Sequence, residues 1–154
     1  MLVLGSAPSV ASLEKQQYYG KSQNAFWKIM GELFAAGPAL PYAERVQILT
    51  ERGVAVWDVL ASCTRAGSLD SAIDMRSAEV NPLADFLERR PMVRAVFFNG
   101  RKAEELFLKR VMPGIKRCDV EYSCLPSTSP AMAALDFAAK LERWQVVAAA
   151  VGRR

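Results

Sequence analysis

The side chains able to do chemistry fall in a few short stretches, each of which also has a plainer structural reading. The first is Gly5-Ser6-Ala7-Pro8-Ser9, with Ser12 close behind. Glycine, proline and serine build a rigid turn with free backbone N–H groups, suited to an anion or a planar ligand, and they serve equally in an ordinary strand-to-helix turn. The turn is not a phosphate loop, for G-x-x-x-x-G-K-[ST] is absent, nor a dinucleotide fingerprint, since G-x-G-x-x-G is absent too. Tyr18 and Tyr19 either pack a loop or stack on a flat ligand. Asn24 stands two residues before an apolar stripe, as a helix N-cap or as an amide that orients a water or a substrate edge. Asp58 follows an apolar run and places a carboxylate at a strand end, as a turn residue or as part of a site. The stretch Leu125-Pro126-Ser127-Thr128-Ser129-Pro130-Ala131 sets three hydroxyls between two prolines ahead of a long helical pattern. Ser129 there is a favourable cap, while a stiff loop with hydroxyl donors beside a helix dipole could grip a phosphate.

What is missing narrows the chemistry further. The chain has no histidine, which removes Ser-His-Asp and Cys-His catalysis and the H-E-x-x-H zinc sites. Any catalysis must use carboxylates, amides, hydroxyls or backbone dipoles. The three cysteines, Cys63, Cys118 and Cys124, form no C-x-x-C pair and are too few for a disulfide scaffold, so neither a structural zinc nor a four-cysteine cluster is expected, and no metal or cofactor is assigned. Net charge is +4, and the surplus lies wholly after residue 77, where 13 basic residues face 9 acidic ones. Such a surplus permits a polyanionic partner without demanding one. Arg101, Lys102, Lys116 and Arg117 are its candidate phosphate contacts, with a solvated face as the alternative for each.

These residues have to be positioned by a fold. At 154 residues, 51% hydrophobic and 23% charged, the chain is expected to form one domain, 1–154, with a real core. No apolar run reaches the roughly 18 residues of a membrane span, and no basic region precedes the apolar amino terminus, so the expected location is the cytoplasm. Leu2 to Leu4, Val54 to Trp57, Ala95 to Phe98 and Val120 to Leu125 read as buried strands. Helical patterns lie between them. Asn24 to Ala36 carries Phe26, Trp27, Met30, Leu33 and Phe34 on one stripe, and Tyr42 to Arg52 ends at Gly53, a left-handed cap position. Asn81 is read as the cap and Pro82 as the first residue of a helix over Leu83 to Arg90. Lys102 to Val111 and an alanine-rich stretch from Pro130 to Val151 complete the set. Strands alternating with helices predict a three-layer α/β sandwich with a central four-stranded parallel sheet. Ligands then bind beyond the carboxyl ends of the strands, after Leu4, Trp57, Phe98 and Leu125. The first strand has almost no run-up, and a few residues are expected to precede it.

In order along the chain, these pieces resemble the uracil-DNA glycosylase superfamily, most closely its DNA-deoxyinosine (hypoxanthine-DNA) glycosylase branch. The matching segments are Leu4-Gly5-Ser6-Ala7-Pro8-Ser9, Tyr18-Tyr19 with Asn24-Ala25-Phe26-Trp27, Val56-Trp57-Asp58-Val59-Leu60 running on to Arg65-Ala66-Gly67-Ser68-Leu69-Asp70, Phe98-Asn99-Gly100 with Lys102-Ala103, and Leu125 to Ala131. The resemblance implies a monofunctional glycosylase that flips a deaminated base out of double- or single-stranded DNA and hydrolyses its bond to deoxyribose, as a monomer and without a cofactor. Carried over by position, Asn24 is catalytic. Ser6, Ala7, Tyr19 and Asp58 receive the base, with Tyr19 stacking on it and Asp58 reading its edge. Ser127, Thr128, Ser129 and Met132 hold the DNA backbone. The chain departs from many uracil-specific relatives, which have an acidic residue or asparagine at Ala7 and a histidine at Leu125. Ser9 stands where glycine is frequent, and Met132 where asparagine is expected. The rival readings are a nucleic-acid-binding domain of the same fold with a weakened site, which Ala7 favours, and a small-molecule hydrolase or transferase, which the missing nucleophile and base disfavour.

Overall fold

The computed structural model describes residues 1–67 and 69–151. Ser68, in the Arg65-to-Asp70 stretch of the resemblance, lies outside the described residues. The elements are β1 (Leu2–Gly5), α1 (Val10–Lys15), α2 (Phe26–Phe34), α3 (Tyr42–Glu51), β2 (Ala55–Asp58), β3 (Leu60–Arg65), β4 (Ile73–Val80), α4 (Leu83–Arg89), β5 (Ala95–Asn99), α5 (Arg101–Arg110), β6 (Glu121–Leu125) and α6 (Phe137–Val151).

The sheet is the expected one, four parallel strands in the order β2-β1-β5-β6. Alternation along the central strands divides the core in two. Leu2 and Leu4 of β1, with Val96 and Phe98 of β5, pack on Leu83 and Leu87 of α4 and on Leu106 and Phe107 of α5. Val3 and Phe97 face the other way, against Phe26, Ile29 and Met30 of α2, Leu49 of α3 and Trp144 and Val147 of α6. The result is a three-layer sandwich of helices, sheet and helices. From β1 the chain moves outward to β2 and then returns to place β5 on the other side of β1, so the strand order reverses between β1 and β5. A crevice at the carboxyl ends of the strands belongs at that switch point.

Several local expectations are corrected. The segment after Asp58 is an antiparallel hairpin of β3 and β4, whose register shifts twice, between Leu60 and Ser62 and between Ser62 and Thr64. Asn81 does not cap α4. Its Nδ2 donates to Asp58 O at 2.9 Å, and the cap position is Pro82, without a side-chain bond. The last helix starts at Phe137 and not at Pro130, with Asp136 Oδ1 accepting from Ala139 N at 2.8 Å. Ser129 therefore caps no helix, and the helix dipole expected behind the 127–129 hydroxyls is displaced along the chain. Asn24 lies ahead of α2, whose cap position is Ala25. Gly53 does take the left-handed conformation, at φ +70°. No helix among the described residues is long and apolar enough to cross a membrane.

Candidate active site

A cleft of about 820 Å³ opens at the switch point, and its lining gathers the turn after β1, the Tyr18–Asn24 loop, the ends of β2 and β5 and the loop after β6. All the residues assigned from sequence to catalysis, base contact and backbone contact border it: Asn24; Ser6, Ala7, Tyr19 and Asp58; Ser127, Thr128, Ser129 and Met132. They come from four separate parts of the chain and meet because parallel strands all end on one side.

The floor is built around Gly5. A methyl there would overlap Asp58 Oδ1 and stand 3.1 Å from the Tyr19 hydroxyl, so only glycine lets these two groups close over the end of β1. Asp58 is 7% exposed, and no hydrogen bond reaches its carboxylate among the described residues. Burial chiefly, and the nearby Asp70 carboxylate secondarily, push its pKa up to about 7, with Arg65 acting in the opposite sense. Asp70 is itself held, accepting from Ser6 Oγ at 2.6 Å, with Arg65 Nη1 at 3.5 Å. Arg65 Nη2 also donates to Pro8 O at 2.5 Å, tying the hairpin to the turn after β1.

Tyr19 adopts a left-handed conformation, φ +54°, unusual outside glycine. The loop is fixed around it by Trp27 Nε1 donating to Tyr18 O at 2.8 Å, Tyr18 N to the Tyr42 hydroxyl at 3.0 Å and Gly20 N to Ser12 Oγ at 3.0 Å. The Tyr19 ring stacks on Phe26 at 4.0 Å and borders the cleft, and its hydroxyl is buried without a hydrogen-bond partner among the described residues. Burial raises its pKa above the ordinary phenol value, with Asp58 adding to the shift, so the group is a neutral phenol. The same causes push Tyr18 up to about 12.

Asn24 Oδ1 accepts from Phe26 N at 2.9 Å. The amide thus both steadies the start of α2 and borders the cleft, and the two readings made from sequence coexist in one side chain. With the oxygen anchored, the plane of the amide is set, and Nδ2 has no partner among the described residues.

The loop after β6 is pinned from several sides. Asn99 binds Thr128 twice, Oδ1 accepting from Thr128 N and Nδ2 donating to Thr128 Oγ1, both at 2.8 Å. Trp144 Nε1 donates to Pro126 O at 2.9 Å. Lys140, 5% exposed, donates to Met132 O at 2.8 Å and Ser129 O at 3.4 Å, and burial lowers its pKa. Ser127 Oγ and Ser129 Oγ accept from the backbone N–H groups of Ser129 and Ala131, at 3.2 and 3.3 Å, and each retains its own O–H to donate. Thr128 is 1% exposed and faces Asn99, while Met132 stands 36% exposed at the rim.

Sequence reasoning gave no role to Asp70, Asn99 or Lys140. Asn99-Gly100 reads as a turn, although an asparagine at the carboxyl end of a central strand was a usable signal. Asp70 depends on a hairpin that was not anticipated, and nothing in an alanine-rich helix marks Lys140 as the buried cation. Of the basic candidates, Arg101 and Lys102 begin α5 at the cleft's end of the sheet. Lys116 and Arg117 precede β6, at the opposite end. The Arg117 guanidinium is committed to Asp119 at 2.8 Å and to the carbonyls of Leu87, Arg90 and Pro91, which removes it as a phosphate contact.

Among known proteins, residues 1–148 match the family model of the uracil DNA glycosylase superfamily. The chain is similar to a hypoxanthine DNA glycosylase of Methanosarcina acetivorans, 36% identical over 132 residues that cover 85% of this chain and 79% of that protein. It is similar also to a hypoxanthine DNA glycosylase of Methanosarcina barkeri, 32% identical over 106 residues, 68% of this chain and 66% of that protein. A solution NMR structure of a candidate uracil DNA glycosylase from Methanosarcina acetivorans superposes with a TM-score of 0.78 at 32% identity, covering 99% of this chain and 90% of that one.

Proposed function

The chain belongs to the uracil DNA glycosylase superfamily, and from that premise we propose that it removes hypoxanthine from deoxyinosine-containing DNA as a monofunctional glycosylase in base excision repair. It acts as a cytoplasmic monomer of one domain, on double- or single-stranded substrate. The observation that carries this reading is the convergence of Asn24, Tyr19 and Asp58 with the 127–132 loop on one cleft large enough for an extruded nucleotide.

Hydrolysis breaks the bond from C1′ to the base and forms one from C1′ to a water oxygen, while the base departs with the electron pair and gains a proton in place of the one the water gives up. The protein has to hold the nucleotide and stabilise that departing charge. Tyr19 offers the base the face opposite the one stacked on Phe26. Ionised Asp58 accepts from the N1–H of hypoxanthine, a donor that adenine lacks at that position. Ser6 and Ala7 line the wall beside it. Asn24 cannot act as a strong base; its amide N–H groups, oriented by the bond from Phe26 N to Oδ1, donate to the charge developing on the base. Ser127 and Ser129 donate to the damaged strand's phosphates, Thr128 holds them in place, and Met132 meets the strand at the rim.

Duplexes with an end label and a single deoxyinosine, uracil or normal base, treated with the protein and then with alkali, test the proposal. The expected product is an alkali-labile abasic site at deoxyinosine, intact before alkali and formed equally in EDTA. Release of uracil alone would overturn the hypoxanthine assignment, and binding without cleavage of any of them would leave only the weakened-site reading.

A further inference from the structure

We propose that Asn99 is a positioning residue for base excision: acting through Thr128, it joins the loop that grips the damaged strand to the helix start that carries Asn24. The inference rests on the reading of Asn24 as the catalytic side chain and adds a residue that acts through it.

Asn99 ends β5 at the switch point, and its planar amide uses both ends on one neighbour, fixing the backbone and the side chain of Thr128 together through two 2.8 Å bonds. Thr128 is buried, whereas Ser127 and Ser129 on either side of it are half-buried, and all three line the cleft. The carbonyl of the same Thr128 accepts from Ala25 N at 2.9 Å. Ala25 follows Asn24 directly and occupies the cap position of α2. Gly100 makes room for the arrangement, since a Cβ on it would come within 2.9 Å of Ser127 Cβ and its φ is +95°. One residue, held by Asn99, therefore closes the phosphate loop onto the catalytic helix start.

This linkage lets binding energy spent on the sugar-phosphate backbone appear as alignment at the glycosidic bond, which is how remote contacts raise a chemical rate. Removing the Thr128 hydroxyl takes away the bond from Asn99 Nδ2 and so one of the two bonds by which Asn99 fixes Thr128. The loop can still touch DNA, but Asn24 is no longer registered to it.

Single-turnover excision of deoxyinosine and duplex affinity, measured on Thr128→Val, Asn99→Ala, Thr128→Ser and Asn24→Ala, decide the matter. Thr128→Val keeps the side-chain volume and Asn99→Ala removes both bonds; each should slow excision about 10- to 100-fold with little change in affinity. Thr128→Ser, which keeps the hydroxyl, should restore the rate. Excision by Thr128→Val at the wild-type rate, or slowed only in proportion to lost affinity or lost folded fraction by circular dichroism, would overturn the linkage. Asn24→Ala separates the two claims: if it is inactive while Thr128→Val is unaffected, the linkage alone fails, and if it is fully active, the reading of Asn24 fails with it.

Discussion

The Ser6 hydroxyl donates a 2.6 Å hydrogen bond to Asp70 Oδ1, joining the turn after β1 to the tip region of the β3–β4 hairpin. The bond makes the hairpin a wall of the cleft and brings the Asp70 charge close enough to oppose ionisation of Asp58. Excision that needs ionised Asp58 should rise with pH through about 7, the value to which that carboxyl is pushed. Asp70→Asn removes the opposing charge, so the rise should move to lower pH. Single-turnover rates across the neutral range check this; an unmoved midpoint, or a rate that falls as pH rises through neutrality, would contradict it.

The same carboxyl makes a stability prediction. Its folded pKa, about 7, lies above the ordinary 3.8, so the folded state binds the proton more tightly than the unfolded chain. That stabilisation is complete below the ordinary value and is lost as pH rises through about 7. Asp58→Asn should therefore flatten this part of the pH dependence and be the more stable protein at alkaline pH, by on the order of 2–4 kcal/mol. Thermal melts of both proteins on either side of neutrality measure it, with a larger gap expected on the alkaline side.

Much of this arrangement was legible in the sequence because β1, β2 and β5 are short apolar runs that end in Gly5, Asp58 and Asn99, and parallel strands deliver whatever follows them to one edge. Ser6, Asp58 and Ser127, each at or just after the end of a parallel strand, therefore fall together at that edge. The hairpin escaped because its two register shifts break the alternation on which strand reading depends. Residues 130–136 were misread for a different reason: alanine favours helix, but Lys140 pulls the Ser129 and Met132 carbonyls into a turn, a contact made possible only by the tertiary fold. Asn99 was hidden by its neighbour, since Asn-Gly after a strand looks like a turn whatever else its side chain does.

Binding to undamaged duplex should weaken as salt rises, because phosphate contacts release counterions. Arg101 and Lys102 at the start of α5, beside the loop that packs on Gly100, are the basic pair best placed to contribute. Replacing both with alanine should reduce the slope of log affinity against log salt by about 1 to 2. The same double change at Lys116 and Arg117, at the far end of the sheet, should leave the slope as it was; equal effects from the two pairs would contradict the orientation assigned to the DNA.

The role of Asn24 is tested most directly by single-turnover excision of deoxyinosine, with the melting temperature measured on the same Asn24→Ala protein. Losing one preorganised donor to a departing base costs about 100- to 1,000-fold in rate, whereas losing only the bond to Phe26 N costs about 0.5 to 2 kcal/mol of stability. The expected result is a folded, DNA-binding protein slowed by at least that factor. A destabilised protein that excises hypoxanthine at the wild-type rate would contradict it, returning Asn24 to the helix start and leaving Asp58 as the group to test next.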